Sequence, residues 1–185
     1  MNPWHNVKKD RITPTRFDAC IEISKGCKNK YELDKESGLL RLDRTLYTST
    51  NYPQNYGFIP LTLSDDGDPL DVLVLCSSDP ILPMSLVECT PIGVLIMIDN
   101  GLPDEKIIAV AVNDPFYSSY QDITDIPEHI MQEIKHFFTV YKTLEGKKTA
   151  VDVVSGREEA IKTIIECMRE YKETIEPKVK AERGY

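Results

Sequence analysis

The chain has 185 residues, 41% of them hydrophobic and 28% charged, a balance that excludes a disordered or fibrous protein and allows one ordinary buried core. Its 30 Asp and Glu outnumber the 22 Lys and Arg, for a net charge of −8. That sign argues against binding by phosphate neutralisation, so no nucleic acid is expected as partner, while metal cations suit it.

Residues 1–16 read as an irregular arm to a single domain spanning 1–185, without the apolar stretch of a signal peptide. Purely apolar runs such as Val94 to Ile98 fall far short of the roughly 20 residues of a spanning helix, so no membrane is expected either. From Ala19 the pattern has period two. Ile21 and Ile23 flank Glu22, Lys30 and Glu32 alternate with Tyr31 and Leu33, and Leu40 and Leu42 alternate with Arg41 and Asp43. Such segments are half-buried strands with one polar face. Residues 70–75 form a more continuous apolar strand, and 92–98 and 107–112 two more, joined by a loop with Asn100, Gly101 and Pro103. Several short strands at close spacing suggest a barrel or sandwich.

The period then changes. Ile130, Ile134, Phe137, Tyr141 and Leu144 fall on one helical stripe, with Pro127 near the first turn and Gly146 beyond the end. A second helix is expected from Ser155, with Glu158 completing a capping box. It runs through Ile161, Ile164, Ile165 and Met168 until Pro177 stops it. The fold class is therefore α+β, a β-barrel-like core followed by two helices. The cysteines, Cys20, Cys27, Cys76, Cys89 and Cys167, are odd in number and lack C-x-x-C spacing, so structural zinc and disulfides are not expected and a reducing cytoplasm is.

The chemistry concentrates in Ser64-Asp65-Asp66-Gly67-Asp68-Pro69-Leu70-Asp71. Asp-Gly-Asp alone is a polar turn. Asp71 stands inside an apolar run, where a carboxylate is costly unless a cation or hydrogen bonds compensate it. Neighbouring carboxylates also raise one another's pKa, and a divalent cation relieves both costs. An EF-hand fails on spacing: counted from Asp66, position 6 is Asp71 rather than Gly and position 12 is Ser77 rather than Glu. Asp99 and Asp104, with Lys106, form a second cluster that a hairpin can bring to one end of a barrel. Glu22, Lys30, Glu32 and Arg44 form a third, either a solvated strand face or a barrel mouth lined by both signs. Tyr141-Lys142 closes the first helix, with Tyr141 on its apolar stripe. No Gly-rich phosphate loop and no nucleophilic triad signature is present.

Lys30-Tyr31-Glu32-Leu33-Asp34-Lys35, Leu42-Asp43-Arg44, Tyr52-Pro53-Gln54-Asn55-Tyr56-Gly57, Asp66-Gly67-Asp68-Pro69-Leu70-Asp71 and His136-Phe137-Phe138 with Tyr141-Lys142 occur in one order. Over roughly residues 17–175 the chain strongly resembles the soluble family I inorganic pyrophosphatases of bacterial length. The resemblance implies a five-stranded barrel of the oligonucleotide-binding type flanked by helices, several magnesium ions, and hydrolysis of pyrophosphate by direct attack of a metal-activated water. It implies Asp66, Asp71 and Asp104 as principal metal ligands, joined by Asp99, with Glu22 and Glu32 acting through metal-bound waters. Asp68 would accept the proton of the attacking water. Lys30, Arg44, Tyr56, Lys106, Tyr141 and Lys142 would bind the phosphate groups. A homo-oligomer is implied too, a hexamer in the bacterial members, whose first long helix carries interface residues. Here His136 fits, while Val140 and Thr143 depart from the pattern. Two other readings stay open: a hydrolase of nucleotide pyrophosphates, and a non-enzymatic binding module on the same kind of barrel.

Overall fold

The computed structural model describes residues 2–99 and 101–182. It begins with one helical turn, α1 (Pro3–Asn6), where Pro3 opens the helix and the Asn2 side chain accepts the Trp4 N–H at 2.9 Å. A 3-10 turn (Lys9–Arg11) follows. The arm is thus ordered rather than irregular. Trp4 is only 4% exposed, and its indole N–H donates to the Thr62 carbonyl at 2.8 Å.

The strands are β1 (Phe17–Ile23), β2 (Asn29–Leu33), β3 (Leu40–Thr45), β4 (Asn55–Phe58), β5 (Asp71–Leu75), β6 (Leu86–Asp99) and β7 (Leu102–Ala111). Next come α2 (Glu128–Val140), β8 (Thr149–Gly156), α3 (Arg157–Glu170) and α4 (Glu176–Glu182). In the main sheet the order is β1-β4-β5-β7-β6-β8, and β1 also pairs with β6, so five strands close into a ring. This is the expected barrel core with helices in the C-terminal half. The long β6 makes closure possible. Its start, Leu86–Cys89, pairs with β1, and Gly93–Asp99 pairs with β8. β2 and β3 form a separate hairpin.

The continuous apolar run of β5 reflects burial on both faces. Val72 and Val74 belong to one core with Trp4 and with Ala160 and Ile164 of α3. Leu73 and Leu75 belong to another with Ile134, Phe137 and Phe138 of α2. β1 behaves likewise and is buried along its whole length, so the expectation of a polar face fails there. Gly57 lets β4 approach β1: a Cβ at this position would lie 1.9 Å from the Cys20 carbonyl oxygen.

Other expectations also fail. β4 and β8 carry no strong period-two pattern. Leu42 is 52% exposed on β3, and Leu144 is exposed in a 3-10 turn beyond α2. Ser155 lies in β8, opposite Val94, and no capping box forms at α3. The Arg157 N–H is instead met at 2.9 Å by the carboxylate of Asp122, from a distant turn. Pro177 sits within α4 rather than ending the helix. A π-type turn (Tyr171–Ile175), in which the Glu176 N–H bonds to the Tyr171 carbonyl, widens the ladder just before the proline ring. Asn100, of the expected β6–β7 loop, lies outside the described residues. The five cysteines are free, and among the described residues no helix is long and apolar enough to cross a membrane.

Candidate active site

A cleft of about 480 Å³ opens between the ring, the β2–β3 hairpin and the end of α2. Its floor follows from the parallel pairing of β5 with β7, which sets the start of β5 beside the middle of β7 and makes Asp71 the direct partner of Lys106. Asp104 stands two residues before Lys106 and so shares its face. The Lys106 ammonium, in a side chain 3% exposed, lies 2.7 Å from Asp71 Oδ2 and 3.0 Å from Asp104 Oδ1. It also donates to Tyr56 Oη at 3.1 Å, while the Tyr56 hydroxyl donates to Asp71. Burial opposes the Lys106 charge, but the carboxylates of Asp71 and Asp104 outweigh it and hold its pKa above the ordinary lysine value. Asp104 moves upward, chiefly through burial and against the pull of Lys106.

Glu22 enters from β1 at an irregularity between Ile21 and Ile23, where the pairing with β4 shifts register. Its carboxylate accepts the Leu33 N–H at 2.7 Å and is 7% exposed. Burial, and then the charge of Asp71, push its pKa up to about 8. The acidic turn before β5 is shaped by Gly67, at φ 86°, with the Asp68 N–H on Asp66 Oδ1 at 2.9 Å and the Ser64 N–H on the Asp68 carbonyl at 2.8 Å. Asp66 and Asp68 thereby face the cleft from its exposed rim. On the opposite wall Lys142 donates to Asp99 Oδ2 at 2.5 Å, and Asp99 Oδ1 is buried without a hydrogen-bond partner. Tyr141 stacks on Phe137 at 5.1 Å, and burial raises its pKa. Lys30 contacts Glu32 on the hairpin.

A family model described as inorganic pyrophosphatase matches residues 19–172 of this chain. The chain belongs to the inorganic pyrophosphatase family. It is 46% identical over 177 residues to soluble inorganic pyrophosphatase 2 of Chlamydomonas reinhardtii, which covers 96% of this chain and 92% of that one. Identity is also 46% over 174 residues with soluble inorganic pyrophosphatase 1 of Arabidopsis thaliana, covering 94% and 82%. Two solved structures are close in fold. The inorganic pyrophosphatase of Thermus thermophilus gives a TM-score of 0.88 at 40% identity, over 93% of this chain and 99% of that one. That of Helicobacter pylori gives 0.85 at 43%, over 91% and 99%. This pyrophosphatase is therefore an inorganic diphosphatase, and the nucleotide-hydrolase and binding-module readings give way.

Every site residue expected from the sequence lines the cleft of the pyrophosphatase except Arg44. Arg44 is the cross-strand partner of Lys30, but its Nε donates to Glu145 at 2.9 Å and its Nη1 pairs with Asp43. Its Nη2 is buried without a partner. Sequence reasoning passed over Arg41 and Lys35, which do line the cleft. Arg41 stands opposite Glu32, a relation visible only once the hairpin register is known. Lys35 follows β2 in a turn, where no periodicity marks it.

The donors fit a hard divalent cation. They are carboxylate oxygens, one of them an orphaned buried oxygen on Asp99, and burial, then repulsion from Asp71, raises the Glu22 pKa. Among the described residues no three carboxylates converge as a closed ligand cage, because Asp71 and Asp104 turn to Lys106. Magnesium, which keeps several of its own waters, needs few direct carboxylates.

Proposed function

We propose that this pyrophosphatase works with magnesium, held chiefly by Asp66, Asp71 and Asp104, with Asp99 joining and Glu22 and Glu32 acting through bridging waters. When bound, the cation supplies charge neutralisation for the polyanion and Lewis-acid polarisation of water. Asp68 accepts a proton from the water that attacks phosphorus. The new P–O bond forms as the bridging P–O bond breaks, and the leaving phosphate departs with the electron pair. Lys30, Arg44, Lys106 and Lys142 carry the positive charge that meets the phosphate oxygens, and Tyr56 and Tyr141 offer hydroxyl donors to them. Arg44 must exchange Glu145 or Asp43 for substrate to do so.

The observation that carries this reading is the separation of the carboxylates. Asp71 and Asp104 share one cation, whereas Asp68 lines the same cleft apart from that cluster, at the rim. A carboxylate outside that cluster stands open to an incoming water, as a proton acceptor must. The protein acts in the cytoplasm as a homo-oligomer, a hexamer, with exposed His136 on α2 among its contacts; sedimentation checks the assembly.

The deciding experiment compares Asp68→Asn with the parent enzyme in phosphate release and in magnesium binding. Turnover falls by about 10² or more, the scale of acid–base catalysis, while magnesium affinity changes little. A large loss of affinity with turnover kept at saturating magnesium would make Asp68 a ligand instead.

A further inference from the structure

The N-terminal arm reaches the attack side of the site by two routes. Through Trp4 it grips the segment that leads into the acidic turn. The indole N–H donates to the Thr62 carbonyl at 2.8 Å, and the Leu61 N–H donates to the Trp4 carbonyl at 3.0 Å. Through Asn2 it grips the β2–β3 hairpin, because Asn2 Nδ2 donates to the Lys35 carbonyl at 2.8 Å. The two routes meet at the Lys35 side chain. Its ammonium lies 5.5 Å from the centre of the Trp4 ring, 3.3 Å from the Gly67 carbonyl, and in an ion pair with Asp68.

We infer that Lys35 is a positioning residue for hydrolysis: seated by the arm through Asn2 and Trp4, its ammonium holds Asp68 at the cleft rim, in place to take the proton of the attacking water. This rests on the reading of Asp68 as the proton acceptor. The physical case is one of freedom removed. Asp68 is about half exposed, and a carboxylate at a solvated turn samples several rotamers. Lys35 also ends a long flexible side chain, 51% exposed, and an unsupported lysine would restrain little. The Trp4 ring face and the Gly67 carbonyl supply the support, through cation–π attraction and a second acceptor. Proton transfer depends steeply on placement, so a weak restraint at this point acts on turnover more than on folding.

Steady-state kinetics at saturating magnesium, with Trp4 emission as a second signal, test the inference. Trp4 is the chain's one tryptophan, so its emission reports the surroundings of this ring, to which Lys35 belongs. Lys35→Ala lowers kcat about tenfold, the scale of a small misplacement, and leaves KM for pyrophosphate nearly unchanged. Lys35→Arg restores most of the loss. In an Asp68→Asn background Lys35→Ala has no further effect on residual turnover. Lys35→Ala and Asp68→Asn each shift the Trp4 emission of the folded protein. Trp4→Phe keeps a buried ring but loses the donor to Thr62, and lowers kcat in the same direction. A raised KM with kcat kept makes Lys35 a substrate contact and overturns the inference, as does an undiminished Lys35→Ala effect without the Asp68 carboxylate, or an unmoved emission. If Asp68→Asn slows turnover but Lys35→Ala does not, the positioning claim alone fails. If Asp68→Asn retains full turnover, the proton-acceptor reading fails and takes the inference with it.

Discussion

Lys106 Nζ lies 2.7 Å from Asp71 Oδ2, between two residues that are direct partners across the parallel β5–β7 ladder. The backbone register thus builds the charge pair on which the cleft floor rests. An acidic protein that must receive a polyanion keeps a buried ammonium among its carboxylates. The ammonium holds the aspartates together, and under the proposed function its charge would be available to phosphate oxygens once a cation is bound.

Lys106→Met tests that arrangement. It leaves Asp71 and Asp104 facing each other in partial burial, so the metal-free protein loses about 2 kcal/mol or more of stability. Magnesium recovers part of the loss by supplying the missing charge. Urea denaturation with and without magnesium measures both effects. Equal stability of the variant in the absence of metal would show that solvent already screens the pair.

Calcium is expected to bind the same carboxylates without supporting turnover. Both ions prefer oxygen, but calcium accepts longer contacts and looser shells, which costs alignment of the reacting groups. Phosphate release at fixed magnesium should fall as calcium rises. Full activity with calcium as sole metal would contradict the proposed use of magnesium.

Gly57→Ala is expected to be among the most damaging single changes outside the cleft. Its Cβ would lie 1.9 Å from the Cys20 carbonyl oxygen and 2.8 Å from Ile21 Cα, both backbone atoms that cannot rotate away. The strands must separate where β1 delivers Glu22 and β4 delivers Tyr56, at a cost of about 3 kcal/mol or more. A wild-type melting temperature for this variant would refute the steric reading.

Glu176 pairs with Lys180 of its own helix, α4, at 2.6 Å and ties that helix to the arm through Lys9 at 2.7 Å. Hydrogen bonds from Lys180 and then Lys9 hold its pKa down to about 2, against an ordinary value of 4.5. A depressed carboxylate stabilises the fold above its unfolded pKa and loses that contribution as pH falls from about 4.5 to about 2. Glu176→Gln is therefore expected to cost about 1 kcal/mol at pH 7, after allowance for screening by water, and progressively less as pH falls toward and below about 2. Chemical denaturation across that range checks the sign.

The candidate carboxylates that line the cleft were legible in the sequence because they are neighbours along the chain. Asp66, Asp68 and Asp71 fall within one turn and strand start, and Asp99, Asp104 and Lys106 within one hairpin. The period-two and helical patterns also marked most strands and the apolar face of α2. Tertiary structure alone decided what depends on contacts between distant segments. Residue 22 looks like the polar face of a half-buried strand until ring closure covers β1 on both sides. β4 is short and contains Gly57, so its period is weak, and only the close approach to β1 explains that glycine. The start of α3 was misplaced because its cap comes from Asp122, some 35 residues upstream. Lys35 belongs to a motif of the family resemblance, but no periodicity or spacing marks its contacts. Its role arises where the arm, the hairpin and the acidic turn converge, since side-chain position in an exposed turn is set by whichever neighbours the fold brings near.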